Sequence, residues 1–318
     1  MKAVVITRFG GPEVLEIQDV PAPQPGPEEV LVRVHGTALN RADLLQRSGR
    51  YAAPPGVPEN ISGLEFAGEV TELGINVRRW SKGDRVMGII GGGAHAEFVT
   101  AHQDAIAAVP ANLDLSDAGA IPEVFITAHD ALQQAEFKAG ENVLIHAVGS
   151  GVGLAATQLV RALGGRAFGT SRTPDKIERA KAFGLELGYV VPEPGALSEL
   201  SAFGKNATAG RGFDVVLDLN GGPYFEASLE AMALKGRIIL IGGVAGGKTN
   251  VDLSDPGQTS SYNRYGAARS ITAREDRNHR RICTRSYAAA GEGKCSTSDR
   301  FRLLTRADPG CSSTPGIQ

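Results

Sequence analysis

In residues 1–110 apolar side chains come in short runs, at 4–6, 30–34, 67–73, 86–90 and 97–99, interrupted by glycine, proline and acidic residues. Runs of that length between turn formers predict β-strands. Pro21-Ala22-Pro23-Gln24-Pro25-Gly26-Pro27 predicts an extended connector, because proline fixes φ and removes a donor. Positions 117–136 have helical spacing, with Ser116 as N-cap. After residue 140 the rhythm changes. Apolar runs at 143–147, 167–170, 215–217 and 238–241 alternate with helical patterns at 154–163 and 175–183. Strands that are apolar on both faces, separated by helices, predict a parallel sheet covered by helices.

The first of these strands leads into Val148-Gly149-Ser150-Gly151-Val152-Gly153 and then a helix. A dinucleotide pyrophosphate needs this arrangement. It must approach the main chain closely, which Cβ atoms would block, and the first N–H groups of the helix have no internal partner. The pattern G-x-G-x-x-A falls on Gly151, Gly153 and Ala156, and a register three residues earlier falls on Val148, Ser150 and Gly153. Both registers fit. The next strand ends in Gly169-Thr170-Ser171-Arg172, with Lys176 close behind. An acid there would receive the ribose hydroxyls of NAD, but the first acid, Asp175, comes late, at the helix start. Ser171, Arg172 and Lys176 instead suit a ribose 2′-phosphate, so the expected cofactor is NADPH.

Composition narrows the class. The chain has 318 residues, 42% hydrophobic and 21% charged, with a net charge of −2. That is a globular balance of two-domain size, with no electrostatic case for nucleic acid or an acidic membrane. No apolar run approaches the roughly 20 residues of a membrane span, and no signal peptide is recognisable, so a cytoplasmic location is the default expectation.

Several separated motifs then occur in order: Gly10-Gly11-Pro12-Glu13, Ala38-Leu39-Asn40-Arg41-Ala42-Asp43, Gly63-Leu64-Glu65-Phe66-Ala67-Gly68, Gly83-Asp84-Arg85-Val86, Ala120-Ile121-Pro122-Glu123, and His146 to Gly153. On these, residues 1–254 resemble the zinc-free quinone oxidoreductase (zeta-crystallin-like) branch of the medium-chain dehydrogenase/reductase superfamily. The resemblance implies an α/β fold. A GroES-like β domain over 1–120 would be followed by a Rossmann NADPH-binding domain with a doubly wound parallel sheet over 121–254, the cofactor lying between them. It implies quinone reduction by hydride or single-electron transfer. The alternatives are an enoyl or alkenal reductase of the same branch, taking an enone, and an NADPH-binding protein with impaired turnover. Carried over by position, Asn40 and Tyr51 would border the nicotinamide as the candidate catalytic residues, with Thr127 near its ring. Gly149, Ser150, Gly151, Val152 and Gly153 would hold the pyrophosphate. Asn220 and Gly221, then Gly242 and Gly243, would line the cofactor at strand ends. Relatives place a tyrosine by the adenosine phosphate where this chain has Val191, which leaves Tyr189 as a substitute.

Zinc-dependent relatives have a cysteine at the position of Asn40 and a histidine at that of Leu64. No cysteine precedes residue 255 and the six histidines lack metal spacing, so no zinc site is expected.

Residues 255–318 differ in kind. They hold all three cysteines (Cys283, Cys295, Cys311), no valine, and ten arginines plus Lys294 against six acids. The resemblance ends near Ser254, and two readings are open: a one-nucleotide shift of reading frame, or a genuine divergent, disordered tail. On the first reading, text restored across 266–277 and 282–291 is amphipathic and family-like. This tail is not expected to supply the family's returning strands. The family's homodimer is therefore doubtful here, and uncovered apolar surface should favour aggregation.

Overall fold

The computed structural model describes residues 1–250 and the strand 261–264. The described residues form two compact units, Met1–Glu123 and the chain from Val124 onward.

In the first unit, β1 (Lys2–Ile6) pairs antiparallel with β2 (Leu15–Asp19). Strands β3 (Glu29–Gly36), β4 (Glu65–Leu73), β5 (Arg85–Ile89), β6 (Phe98–His102) and β7 (Ile106–Ala108) form an antiparallel sheet in the order β6-β3-β4-β5-β7. Its core is Val30, Val32, Phe66, Val70, Val86 and Val99. Helix α1 (Arg41–Arg47) leaves from the end of β3.

The single helix expected over 117–136 is two. Helix α2 (Leu115–Ala118) has Asp114, not Ser116, at its N-cap position, and α3 (Pro122–Gln134) starts afresh. Pro122 is the cause, since its ring bars a helix from running through it but suits a first turn. The chain passes from the first unit to the second inside α3.

The second unit holds β8 (Asn142–Ile145), α4 (Gly151–Ala162), β9 (Arg166–Ser171), α5 (Pro174–Lys181), β10 (Leu187–Val190), α6 (Leu200–Ala207), β11 (Phe213–Asp218), α7 (Pro223–Ala231), β12 (Met232–Leu240) and β13 (Ser261–Arg264). All pairings are parallel, in the order β10-β9-β8-β11-β12-β13. Counted along the chain this is 3-2-1-4-5-6, the doubly wound Rossmann order, whose ligand crevice opens at the carboxyl ends of β8 and β11. Both strands are buried throughout, as their unbroken apolar runs require.

Strand β13 corrects one expectation. The segment after Ser254 does contribute a strand, paired in register Arg237↔Ser261 through Leu240↔Arg264. A four-residue edge strand is held by its main-chain ladder and does not need the valine-rich pattern of a central strand. The proposed frame shift otherwise falls outside the described residues. No helix among the described residues is long and apolar enough to cross a membrane.

Candidate functional site

The turn after β8 decides between the two glycine registers. Ala147 takes φ +50°, and α4 starts at Gly151 with Ser150 as N-cap, its Oγ accepting from the Gly153 N–H at 3.1 Å. A Cβ on Gly153 would lie 2.6 Å from the Ala147 carbonyl oxygen and 2.7 Å from that of Val148. Gly153 therefore fills the close helix–strand packing position, and the register is Val148, Ser150, Gly153. Gly151 and Val152 occupy the first helical positions, whose N–H groups have no intrahelical acceptor.

The cationic residues flank this turn. The Lys176 stem packs on Gly149, where a Cβ would meet the Lys176 Cβ at 2.8 Å. Ser171 closes β9, and Arg172 follows it, exposed and near enough to act electrostatically on the Tyr224 hydroxyl. Neither Arg172 nor Lys176 forms an ion pair among the described residues. Asp175 is an acid of the α5 first turn, held low chiefly by its hydrogen bond with the Thr173 side chain, then by main-chain N–H groups. Its carboxylate is thus engaged at the start of its own helix.

Tyr189, the expected substitute for the missing tyrosine, is engaged within its own unit. Its hydroxyl donates to the Ala196 carbonyl at 2.7 Å and its ring stacks on Phe203, while Val191 is core. Alternation along β10 sends side chains two residues apart to one face, but the tyrosine's hydroxyl is already committed.

Asn220, Gly221, Gly242 and Gly243 come together through main chain. Asp218 Oδ1 accepts from the N–H groups of Asn220 and Gly221, and Gly242 N–H reaches the Asp218 carbonyl. Added Cβ atoms at Gly221 and Gly242 would strike the Gly246 and Leu219 carbonyl oxygens, so those glycines serve loop packing.

His146 is fully buried. Ser228 gives its proton to the Tyr224 carbonyl, so His146 Nε2–H donates to Ser228 Oγ at 2.7 Å and Nδ1 accepts from Thr170 Oγ1 at 2.8 Å. Both nitrogens of a neutral ring are used. Burial pushes its pKa below the usual histidine value, with Asp218 opposing. Thr127 is buried within α3.

In the first unit, Asn40 is the N-cap residue of α1. Its main-chain N–H donates to Asp43 Oδ2 and its Nδ2 to Glu65 Oε1, at 2.7 and 2.8 Å. Asp43 Oδ1 accepts from the N–H of Gly63, a residue at φ +104° whose Cβ would meet the His95 nitrogen at 2.5 Å. His95 donates through Nε2 to the Ala38 carbonyl and accepts at Nδ1 from Ser62. The motifs around Asn40 and Gly63 are thus one hydrogen-bonded assembly. Tyr51 lies on the loop after α1, half-buried. A mainly apolar cavity of about 630 Å³ in this unit is lined by Leu15, Ile17, Leu39 and Leu44, among others, but by neither Asn40 nor Tyr51. Among the described residues no cluster of three or more His, Cys, Asp or Glu is placed to hold a metal.

Glu65 is the residue that motif reading passes over as a site. It is fully buried, and burial, with Glu123 and Asp43 nearby, pushes its pKa up to about 8 against the hydrogen bonds from Asn40 and the Glu123 N–H. The signal was a lone acid heading an apolar strand.

Residues 26–111 match the alcohol dehydrogenase GroES-like domain, and residues 151–269 the domain described as zinc-binding dehydrogenase. The second match runs past Ser254, as β13 does. A quinone oxidoreductase of Pseudomonas aeruginosa is 34% identical over 264 residues, 82% of this chain and 79% of that protein. The Escherichia coli quinone oxidoreductase complexed with NADPH superposes with a TM-score of 0.81 at 28% identity, covering 95% of this chain and 94% of the other. The enoyl reductase CurK gives 0.79 at 27%, covering 96% of each. With these matches falling on the same two folded units, the chain belongs to the zinc-free quinone oxidoreductase branch of the medium-chain dehydrogenase/reductase superfamily, and is an oxidoreductase.

Proposed function

We propose that this chain reduces quinones with NADPH. The observation that carries the reading is the turn after β8: a helix N-terminus capped by Ser150, with Lys176 packed on Gly149 and no competing acid at the end of β9. These residues fit the cofactor. The first N–H groups of α4 suit a pyrophosphate, and the Ser150 hydroxyl, accepting from Gly153, retains its proton for a phosphate oxygen. Arg172 supplies a fork and Lys176 a point charge to a ribose 2′-phosphate. Bound NADPH supplies hydride, or electrons singly, to the acceptor. Asn40 and Tyr51 are carried as residues bordering the nicotinamide, with Thr127 near its ring. Hydride transfer to a quinone leaves a hydroquinone anion that takes its proton from water, so the reading requires no dedicated protein acid. A soluble quinone panel with NADPH is the test: turnover with NADPH well above that with NADH supports the reading, and equal or better use of NADH refutes it.

A second reading is reduction of a conjugated enone, favoured by the likeness to an enoyl reductase. Steady-state rates with an enone and a quinone at matched concentrations separate the two.

A further inference from the structure

Glu65 opens β4 at the edge of a packed core, where an unpaired carboxylate is costly. No cation offsets it among the groups acting on its charge. Those groups are Glu123 on α3 and Asp43 on α1, both acids, and its β5 neighbour is Ile89. Its partners are two N–H donors from different elements. Asn40 Nδ2 reaches Oε1 at 2.8 Å, and the Glu123 main-chain N–H, in the first turn of α3, reaches Oε2 at 2.9 Å. Its own carbonyl accepts from Thr37 Oγ1, the first residue past the end of β3. A carboxylate places one acceptor on each donor at once, whereas glutamine would set an NH2 group against one of them.

We propose that Glu65 is a positioning residue for the reaction: its carboxylate holds the Asn40 side-chain amide in one orientation and ties it to the start of α3. The inference rests on the reading that Asn40 borders the nicotinamide. Asn40 has its main-chain N–H fixed by Asp43 and its side-chain NH2 fixed by Glu65, so the amide cannot turn without breaking a partly buried bond. Burial raises the Glu65 pKa to about 8. Only the ionised form accepts both bonds at full strength, since a protonated carboxyl oxygen is a poor acceptor.

The test compares the full chain with Glu65→Gln, Asn40→Ala and the double variant, using NADPH and a soluble quinone. We expect Glu65→Gln to lower kcat by about 10-fold with little change in acceptor KM, and the double variant to be no worse than Asn40→Ala alone, because the two act as a unit. The parent kcat should climb with pH through about 8, and Glu65→Gln should lose that step. A double variant losing the product of the two single effects, or a pH step that survives in Glu65→Gln, overturns the proposal. A second measurement stands apart from turnover and needs no variant to fold. In the cofactor-free chain, the Asn40 side-chain amide resonances should shift with pH, with a midpoint near that of Glu65. Absence of the shift overturns the tie itself. Absence of NADPH oxidation with the shift present overturns the proposed function and leaves the tie standing.

Discussion

Ser150 shows how one side chain can do the work of two main-chain features. It caps α4 through Oγ, which accepts from Gly153 N–H and leaves the hydroxyl proton available to donate. Replacing it with alanine should cost about 1 kcal/mol of stability, from the lost cap, and also weaken NADPH binding; thermal unfolding and fluorescence quenching measure the two separately. At the next strand end, Arg172→Ala with Lys176→Ala should weaken NADPH about 10- to 100-fold while NADH changes little, because only the former carries the extra phosphate. His146 sets a pH limit. Its folded pKa is depressed, so its contribution to stability is present above the ordinary histidine value of 6.5 and is lost as pH falls below it, where the unfolded chain takes up the proton. A Tm profile from pH 8 to pH 5 should therefore fall at the acid end. His146→Asn or an unchanged profile bears on this directly: a flat profile in the parent chain would contradict the buried neutral ring. Much at this scale was legible beforehand. Gly149 through Gly153 and the late acid Asp175 were visible as text. What text cannot carry is that Tyr189 points its hydroxyl at Ala196, or that Asp175 serves its own helix, since both depend on which neighbour the fold supplies.

Among the elements, α4 and β8 meet at a contact that only glycine permits. A side chain at Gly153 would sit within 2.6 Å of a carbonyl oxygen, so Gly153→Val should destabilise the second unit by about 1–3 kcal/mol and lower both Tm and cofactor affinity. The far end of the same sheet is fixed by Arg237, which donates to the Ala135 and Glu136 carbonyls beyond α3 and to Glu141 before β8. A cation there also suits the negative end of α3. Strand positions followed from apolar runs, because a buried parallel strand leaves no alternative to apolar residues. Helix limits did not follow as well. The spacing over 117–136 continued across Pro122, and only the proline ring's geometry divides it. Strand β13 was missed for the opposite reason: an edge strand needs a ladder partner, and β12 is not visible from the composition of the segment that pairs with it.

For the whole molecule, the two units follow from two rhythms in one chain, turn-rich strands and then alternating strand and helix. Glu65 accepts from the main-chain N–H of Glu123, the residue at which the first unit ends along the chain. The first unit also leaves Ile17 and Leu39 at 74% and 76% exposure beside its cavity. Such a patch favours association, and Ile17→Ser with Leu39→Ser should reduce binding of a hydrophobic dye and raise solubility; unchanged dye binding would locate the stickiness elsewhere. Preference for NADPH depends on the capped α4 turn and on Arg172 and Lys176. Its most direct test is a fluorescence titration of the full chain with NADPH and NADH. We expect NADPH to bind at least about 10-fold more tightly, a gap that closes in the Arg172→Ala, Lys176→Ala double variant. Equal affinities in the parent chain, or a gap that survives the double substitution, would contradict it.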